Sequence, residues 1–123
     1  MENGLAESTG VTSFDSANKV LLPKAVFEAS GVNNFHIYNQ FIIRVECRDE
    51  LREFLKSHDI GAEIYYPVPF HRQECFQYLL NNDSDFPVAN FAAATSLALP
   101  IFPELQPEQI AFVVEKIGEF VRG

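Results

Sequence analysis

A chain of 123 residues with 47% apolar side chains and 12 phenylalanines suits one domain able to bury a core without disulfides or metals, and is no disordered chain. A formal charge of −8 and a pI near 4.7 exclude a nucleic-acid backbone or an anionic membrane as the main partner, since either would repel this surface. Cys47 and Cys75 lack CxxC spacing and read as reduced intracellular thiols, MENGLAESTG has no basic or apolar signal region, and no apolar run approaches the roughly 20 residues of a membrane helix. A soluble cytoplasmic protein is expected.

Residues 1–19 are rich in Gly, Ser, Thr, Asn and acidic side chains and read as a tail or linker, ordered only where something else holds it. In VLLPKAVFEASGVNN, Pro23 suits a first helical position and Gly31 a stop, which predicts a short helix. HIYNQFIIRV then alternates. Ile37, Phe41, Ile43 and Val45 point one way and His36, Tyr38, Gln40 and Arg44 the other, with Ile42 the exception, so a strand with a core face and a polar face is expected. A helix follows over about 49–58, opening near Arg48 with Asp49 and Glu50 where carboxylates suit the positive end of its dipole. Leu51, Phe54 and Leu55 would cover the sheet.

A second strand is expected over 62–66, with Ala62, Ile64 and Tyr66 on one side and Glu63 and Tyr65 on the other. Pro67 and Pro69 lack the ladder donor and force a rigid loop, PVPFH. QECFQYLL is a short helical candidate and NNDSD a loop. Pro87 suits the first position of another helix, with Phe91, Ala92, Ala94 or Thr95, and Leu97 inward, ending before Pro100. LALPIFPEL is too proline-rich for a central strand but can add a short edge strand. Gln106 and Pro107 start the last helix, whose apolar stripe is Ile110, Val113, Val114, Ile117 and Val121. This order of elements predicts an α+β fold: a two-layer α/β sandwich in which a small antiparallel or mixed sheet carries helices mainly on one face.

The blocks HIYNQFIIRV, RDELREFLKSHDIGAEIYYPVPFH, FPVANFAAATSLALPIFPELQPEQI and the closing helix, in that order, resemble the C-terminal small domain of the DegT/DnrJ/StrS-type sugar aminotransferases, which are fold-type I pyridoxal-phosphate enzymes. The resemblance covers about residues 34–122. It divides the chain into a tail, linker and short helix over 1–33 and the small domain over 34–123. It implies a homodimeric parent enzyme that moves an amino group from glutamate, through pyridoxal phosphate, to a keto-sugar nucleotide. In that family the Schiff-base lysine, the carboxylate facing the pyridine nitrogen and the donors around the cofactor phosphate belong to a large catalytic domain ahead of the matched blocks.

No lysine here is expected to take that role. Lys19, in TSFDSANK, superficially resembles the family's approach to its lysine, yet VLLP follows it and it lies too close to the strand at His36; Lys24, Lys56 and Lys116 fall on surface-like positions. No catalytic or cofactor-binding residue is therefore assigned, and no pyridoxal phosphate is expected on this chain alone. His71, read from the residues only, closes a Pro-rich loop. The resemblance implies more: the Tyr-Pro-x-x-x-His segment borders the cleft between domains, where Tyr66 and His71 would donate hydrogen bonds to a sugar hydroxyl or a nucleotide phosphate. Tyr38 and Gln40 are either polar positions of a half-exposed strand or, by the resemblance, residues that close the site. His36, His58 and His71 lack metal-ligand spacing, and no phosphate loop or nucleophile elbow occurs.

The first functional reading is the small domain of a nucleotide-sugar aminotransferase, inactive by itself. The second is a stand-alone interaction module with the fold but not the chemistry, meeting a partner through apolar faces around 14–35. The third is the small domain of a pyridoxal-phosphate-dependent sugar dehydratase.

Overall fold

The computed structural model describes residues 5–7, 12–14 and 19–123. Its strands are β1 (Leu5–Glu7), β2 (Val20–Leu22), β3 (Phe41–Val45) and β4 (Ser96–Leu99), and its helices α1 (Arg48–Lys56), α2 (Pro87–Thr95) and α3 (Pro107–Arg122). The sheet order is β1-β2-β3-β4. β2, β3 and β4 pair antiparallel and β1 joins β2 in parallel, so the small sheet is mixed. The α+β expectation holds.

Period-2 alternation in β3 sends Phe41, Ile43 and Val45 to one face. There they meet Leu51 and Leu55 of α1 and Leu97 of β4, all three with no exposed surface. Val113, Ile117, Phe120 and Val121 of α3 close the cluster from outside. Each fully buried leucine contributes about 1.5–3 kcal/mol over an exposed one. α1 and α3 thus cover one face. α2 lies on the other, where the Arg44 guanidinium sits 5.6 Å from the Phe91 ring centre.

Several expectations are corrected. Val20–Leu22, placed ahead of the domain, is a strand of the sheet, and Val20 and Leu21 are buried. Pro23 opens no helix; only a 3-10 turn forms at Glu28–Ser30, ended by Gly31 at φ 73°. A left-handed residue without a Cβ is what that stop requires. Of the unfinished tail, 1–4, 8–11 and 15–18 lie outside the described residues.

The long strand from His36 shrinks to Phe41–Val45. Its partner β4 ends at Leu99, opposite Phe41, and Pro100 has no N–H to carry the ladder further. Tyr38 takes a left-handed φ of 46° and Ile37, expected in the core, is 85% exposed. His36, Tyr38, Gln40 and Arg44 therefore do not share one strand face. The strand over 62–66 reduces to a bridge between Glu63 and Ala98, with N···O distances of 3.1 and 2.7 Å. Ala62 and Ile64 reach the core, but Tyr66, next to Pro67, does not.

α2 ends at Thr95, because Ser96–Leu99 is captured by β3, so Leu97 fills the core from a strand. α3, with 16 residues against 9 in α1, outruns α1 by about 10 Å at 1.5 Å per residue. Ile110, in the first turn, stays 48% exposed; Val114 is 63% exposed although its neighbour Val113 packs on the core, so it lies off the buried face, and Phe120 joins Val113, Ile117 and Val121 in the stripe.

Candidate functional site

On the sheet face away from the core, the antiparallel pairs Ile42↔Ala98 and Arg44↔Ser96 put two small side chains where a second layer would otherwise fill the space. Two neighbouring hollows result. The first, of about 360 Å³, lies over Ala98 between Asn39, Gln40, Glu63 and Tyr65, with Ile101 and Phe102 at its rim. The second, of about 510 Å³, opens between the Pro-rich loop (Tyr65, Tyr66, Phe70) and Ala92, Ala93 and Ser96. Tyr65 borders both. The first hollow is walled by amides, a carboxylate and a phenol; the second is mostly apolar, and the alanines of α2 leave it open.

What holds α2 at this distance is Arg48, which the sequence marked only as a helix start. It is 9% exposed, and its Nη1 donates to the carbonyls of Ala93 at 2.9 Å and Ser96 at 3.3 Å. The Ala93 carbonyl is among the last four of α2, which have no partner within the helix. Arg48 supplies one and ties the α2–β4 junction to α1.

Past Pro69 the chain makes 3-10 turns at Phe70–Arg72 and Glu74–Leu79. His71 stacks on Phe86, with ring centres 4.7 Å apart, and its Nε2 lies 3.1 Å from Asp83 Oδ1. Arg72 donates to both carboxylate oxygens of Asp83. The Arg72 hydrogen bond, with a smaller share from His71, holds the Asp83 carboxyl below its ordinary range, and the same pairing raises the Arg72 guanidinium.

Of the residues expected to meet substrate, Gln40 lines the first hollow and Tyr66, 73% exposed, lines the second. His71 lines neither; its side chain is 5% exposed. Tyr38 lies against His36, with ring centres 4.1 Å apart, and its N–H donates to His36 Nδ1 at 2.8 Å. The structure therefore brings Gln40 and Tyr66 to adjoining hollows and leaves His71 and Tyr38 packed on other rings. Tyr65 and Asp83 are the residues that sequence reasoning missed. Alternation, which turned Tyr65 away from Ala62 and Ile64, was the signal for the first. Asp83 had none, being 12 residues from His71. Among the described residues no group of His, Cys, Asp and Glu forms a metal-binding cluster, and no helix is long and apolar enough to cross a membrane.

The sequence model of the DegT/DnrJ/EryC1/StrS aminotransferase family matches residues 11–118. The chain belongs to this aminotransferase family. Within the family it is similar to the pleiotropic regulatory protein of Geobacillus stearothermophilus, 47% identical over 88 residues, covering 72% of this chain and 24% of that protein. It is also similar to the UDP-N-acetyl-3-dehydro-alpha-D-glucosamine 3-aminotransferase of Acidithiobacillus ferrooxidans, 38% identical over 88 residues, covering 72% and 23%. Among solved structures, Streptomyces venezuelae DesV in complex with a ketimine intermediate superposes with a TM-score of 0.62 at 33% identity, over 66% of this chain and 22% of DesV. The chain thus spans about a quarter of the length of its family relatives.

Pyridoxal phosphate, the cofactor the family implies, needs a lysine, an acid for the pyridine nitrogen and donors for its phosphate. Neither hollow is lined by a lysine. Lys19 donates instead to the Val121 carbonyl at 3.0 Å and Lys116 pairs with Glu119 at 2.9 Å. The described residues do not form a cradle for the cofactor.

Proposed function

We propose that this chain, with strand β2 part of the domain, acts as the small domain of a pyridoxal-phosphate-dependent nucleotide-sugar aminotransferase that takes its amino group from glutamate. The family match over 11–118 carries this reading, and the relative that aminates a UDP-sugar supports the substrate class. A large catalytic domain holds the cofactor and brings the reactive lysine; the full enzyme is a cytoplasmic homodimer. The part played by this chain is to wall the cleft and orient the sugar nucleotide, a positioning role rather than bond-making. Gln40 and Tyr66 reach the substrate from the two hollows, Tyr38 closes the cleft edge, and His71 contributes from the loop.

The test is reconstitution. The purified 123-residue chain given pyridoxal phosphate should develop no internal-aldimine absorbance and no aminotransfer. Adding a large domain from a family member should restore glutamate-dependent amination of a keto-sugar nucleotide. Aldimine absorbance in the chain alone would overturn the assignment of roles.

Two observations favour a second reading, an interaction module without chemistry. The relative 47% identical to this chain is named a regulatory protein, and Val26, Phe27 and Val32 expose apolar surface at 63%, 66% and 62%. Size-exclusion runs separate the two: complex formation with a large domain that restores no aminotransfer supports the module.

A further inference from the structure

The first hollow is built on main-chain pairing, so its polar walls stand at fixed places. Glu63 and Ala98 exchange two hydrogen bonds, with N···O distances of 3.1 and 2.7 Å, which puts their side chains on one face of the sheet. The alanine is the short member of the pair, and the hollow lies over it. Two residues on, alternation returns Tyr65 to the side of Glu63. β4 runs between Glu63 and β3, so Asn39 and Gln40, which lead into β3, flank Ala98 from the other side. Asn39, Gln40, Glu63 and Tyr65 are all exposed, and a solute reaches each of them from water.

These walls define what fits between them. A carboxylate only accepts hydrogen bonds, while a primary amide and a phenol both donate and accept. Hydroxyls, each a donor and an acceptor at once, satisfy all four groups. Ile101 and Phe102, 38% and 46% exposed, give the rim an apolar surface for the C–H face of a ring. At about 360 Å³ the hollow sits near the small end of ligand pockets and takes one ring rather than a whole sugar nucleotide. Among the described residues no lysine, arginine or histidine lines it, and a formal charge of −8 adds to the negative field around Glu63, so a phosphate belongs elsewhere. Arg52, whose Nε donates to the Ala62 carbonyl at 3.2 Å, brings Nη2 within 3.6 Å of Glu63 Oε2 from outside these walls. With the Glu63 side chain 62% exposed, so loose a pair does not cancel its charge toward the hollow.

We infer that the hollow over Ala98 seats an uncharged, hydroxyl-bearing ring, the pyranose of the substrate, and that Glu63 is a specificity-determining residue that turns away rings carrying a carboxylate. This deepens, and rests on, the reading of the chain as the small domain of a nucleotide-sugar aminotransferase. It adds Asn39, Glu63 and Tyr65 to the substrate-facing residues and gives them a direction of choice, neutral hexopyranoses over uronates.

The 123-residue chain is titrated with methyl α-D-glucopyranoside, with the corresponding glucopyranosiduronate and with uridine, and the side-chain NH2 resonances of Asn39 and Gln40 are followed by nitrogen-15 NMR. The glucoside should move both resonances in a saturable way. The uronate should bind about fivefold more weakly at low salt, with the gap narrowing at high salt. Glu63→Gln keeps an acceptor but removes the charge and should close that gap. Gly61 lines the hollow without a positive φ, and a Cβ there would meet no atom within 4 Å. Gly61→Leu should therefore crowd the hollow and abolish the glucoside response while the core methyl resonances stay in place.

No response to the glucoside, an equal or stronger response to uridine or to the uronate in the wild type, or discrimination that survives Glu63→Gln in full would overturn the inference. An unchanged response in a folded Gly61→Leu chain would do the same, by placing the binding elsewhere. Should either variant not fold, the comparison of the three probes on the wild type decides alone. Amination restored by a large domain while the hollow stays silent would sink the inference and keep the proposed function; uptake of the glucoside here without restored amination would do the reverse.

Discussion

Arg48→Ala tests the junction on which the second hollow depends. Arg48 is 9% exposed and offers Nη1 to two carbonyls, that of Ala93 at 2.9 Å and that of Ser96 at 3.3 Å. Hydrogen bonds from a charged donor are worth about 1.5–3 kcal/mol each, the longer one less, and the alanine leaves both carbonyls partly desolvated without a donor. Its pair with Asp49 at 2.7 Å adds little, because the Asp49 side chain is 73% exposed. The expected loss is about 2–4 kcal/mol, a large share of the roughly 5–15 kcal/mol of an ordinary domain. With a urea slope of about 2 kcal/mol/M, the middle of the usual range, the unfolding midpoint followed by far-ultraviolet circular dichroism should fall by about 1–2 M. Hydrogen exchange should quicken first around 92–96. Arg48→Lys keeps the charge on a single point donor and should fall between the two. A loss under about 0.5 kcal/mol, or an Asp49→Ala variant as damaging as Arg48→Ala, would refute the reasoning, the latter by showing that the ion pair carries the junction.

Leu55→Ala, at a side chain with no exposed surface, should cost about 2–5 kcal/mol in the same assay, while Ile110→Ala and Val114→Ala should stay within about 0.5 kcal/mol. Equal losses at the three would mean that α3 buries the stripe expected from its periodicity. Because Arg72 depresses Asp83 below its ordinary value of 3.8, the stabilisation from their pairing is present above that value and is lost as pH falls through the lower folded one. Carbon-13 titration of the Asp83 carboxyl should show this depressed midpoint and Arg72→Ala should move it up; an ordinary midpoint in the wild type would contradict the pairing. Cys47 and Cys75 are both free and exposed, so both should react with Ellman's reagent in the folded chain, and a thiol that reacts only in denaturant would place it in the core.

The elements legible in the residues were those with a local signature. Leu51, Phe54 and Leu55 announced α1, Pro87 the start of α2, and Gln106 with Pro107 the start of α3. Three-residue β2 had no period to read, and its burial follows from pairing with β3, whose Val45 lies more than 20 residues away along the chain. Tyr66 and Gln40, singled out as substrate-facing, line the two hollows, yet Tyr38 was assigned to a strand that Pro100 prevents from reaching it.

By itself the sequence determined that a small α+β domain of the aminotransferase family would form, and that Leu51 and Leu55 of α1 and Ile43 and Val45 of β3 would turn toward a core. Tertiary structure alone decided which distant group each of three other side chains meets: Arg48 the end of α2, Lys19 the end of α3, and His71 the carboxylate of Asp83. The physical reason is that periodicity and propensity are properties of neighbours along the chain. A hydrogen bond or a hollow is instead a property of two segments whose separation is set only when the whole sheet and its helices have packed.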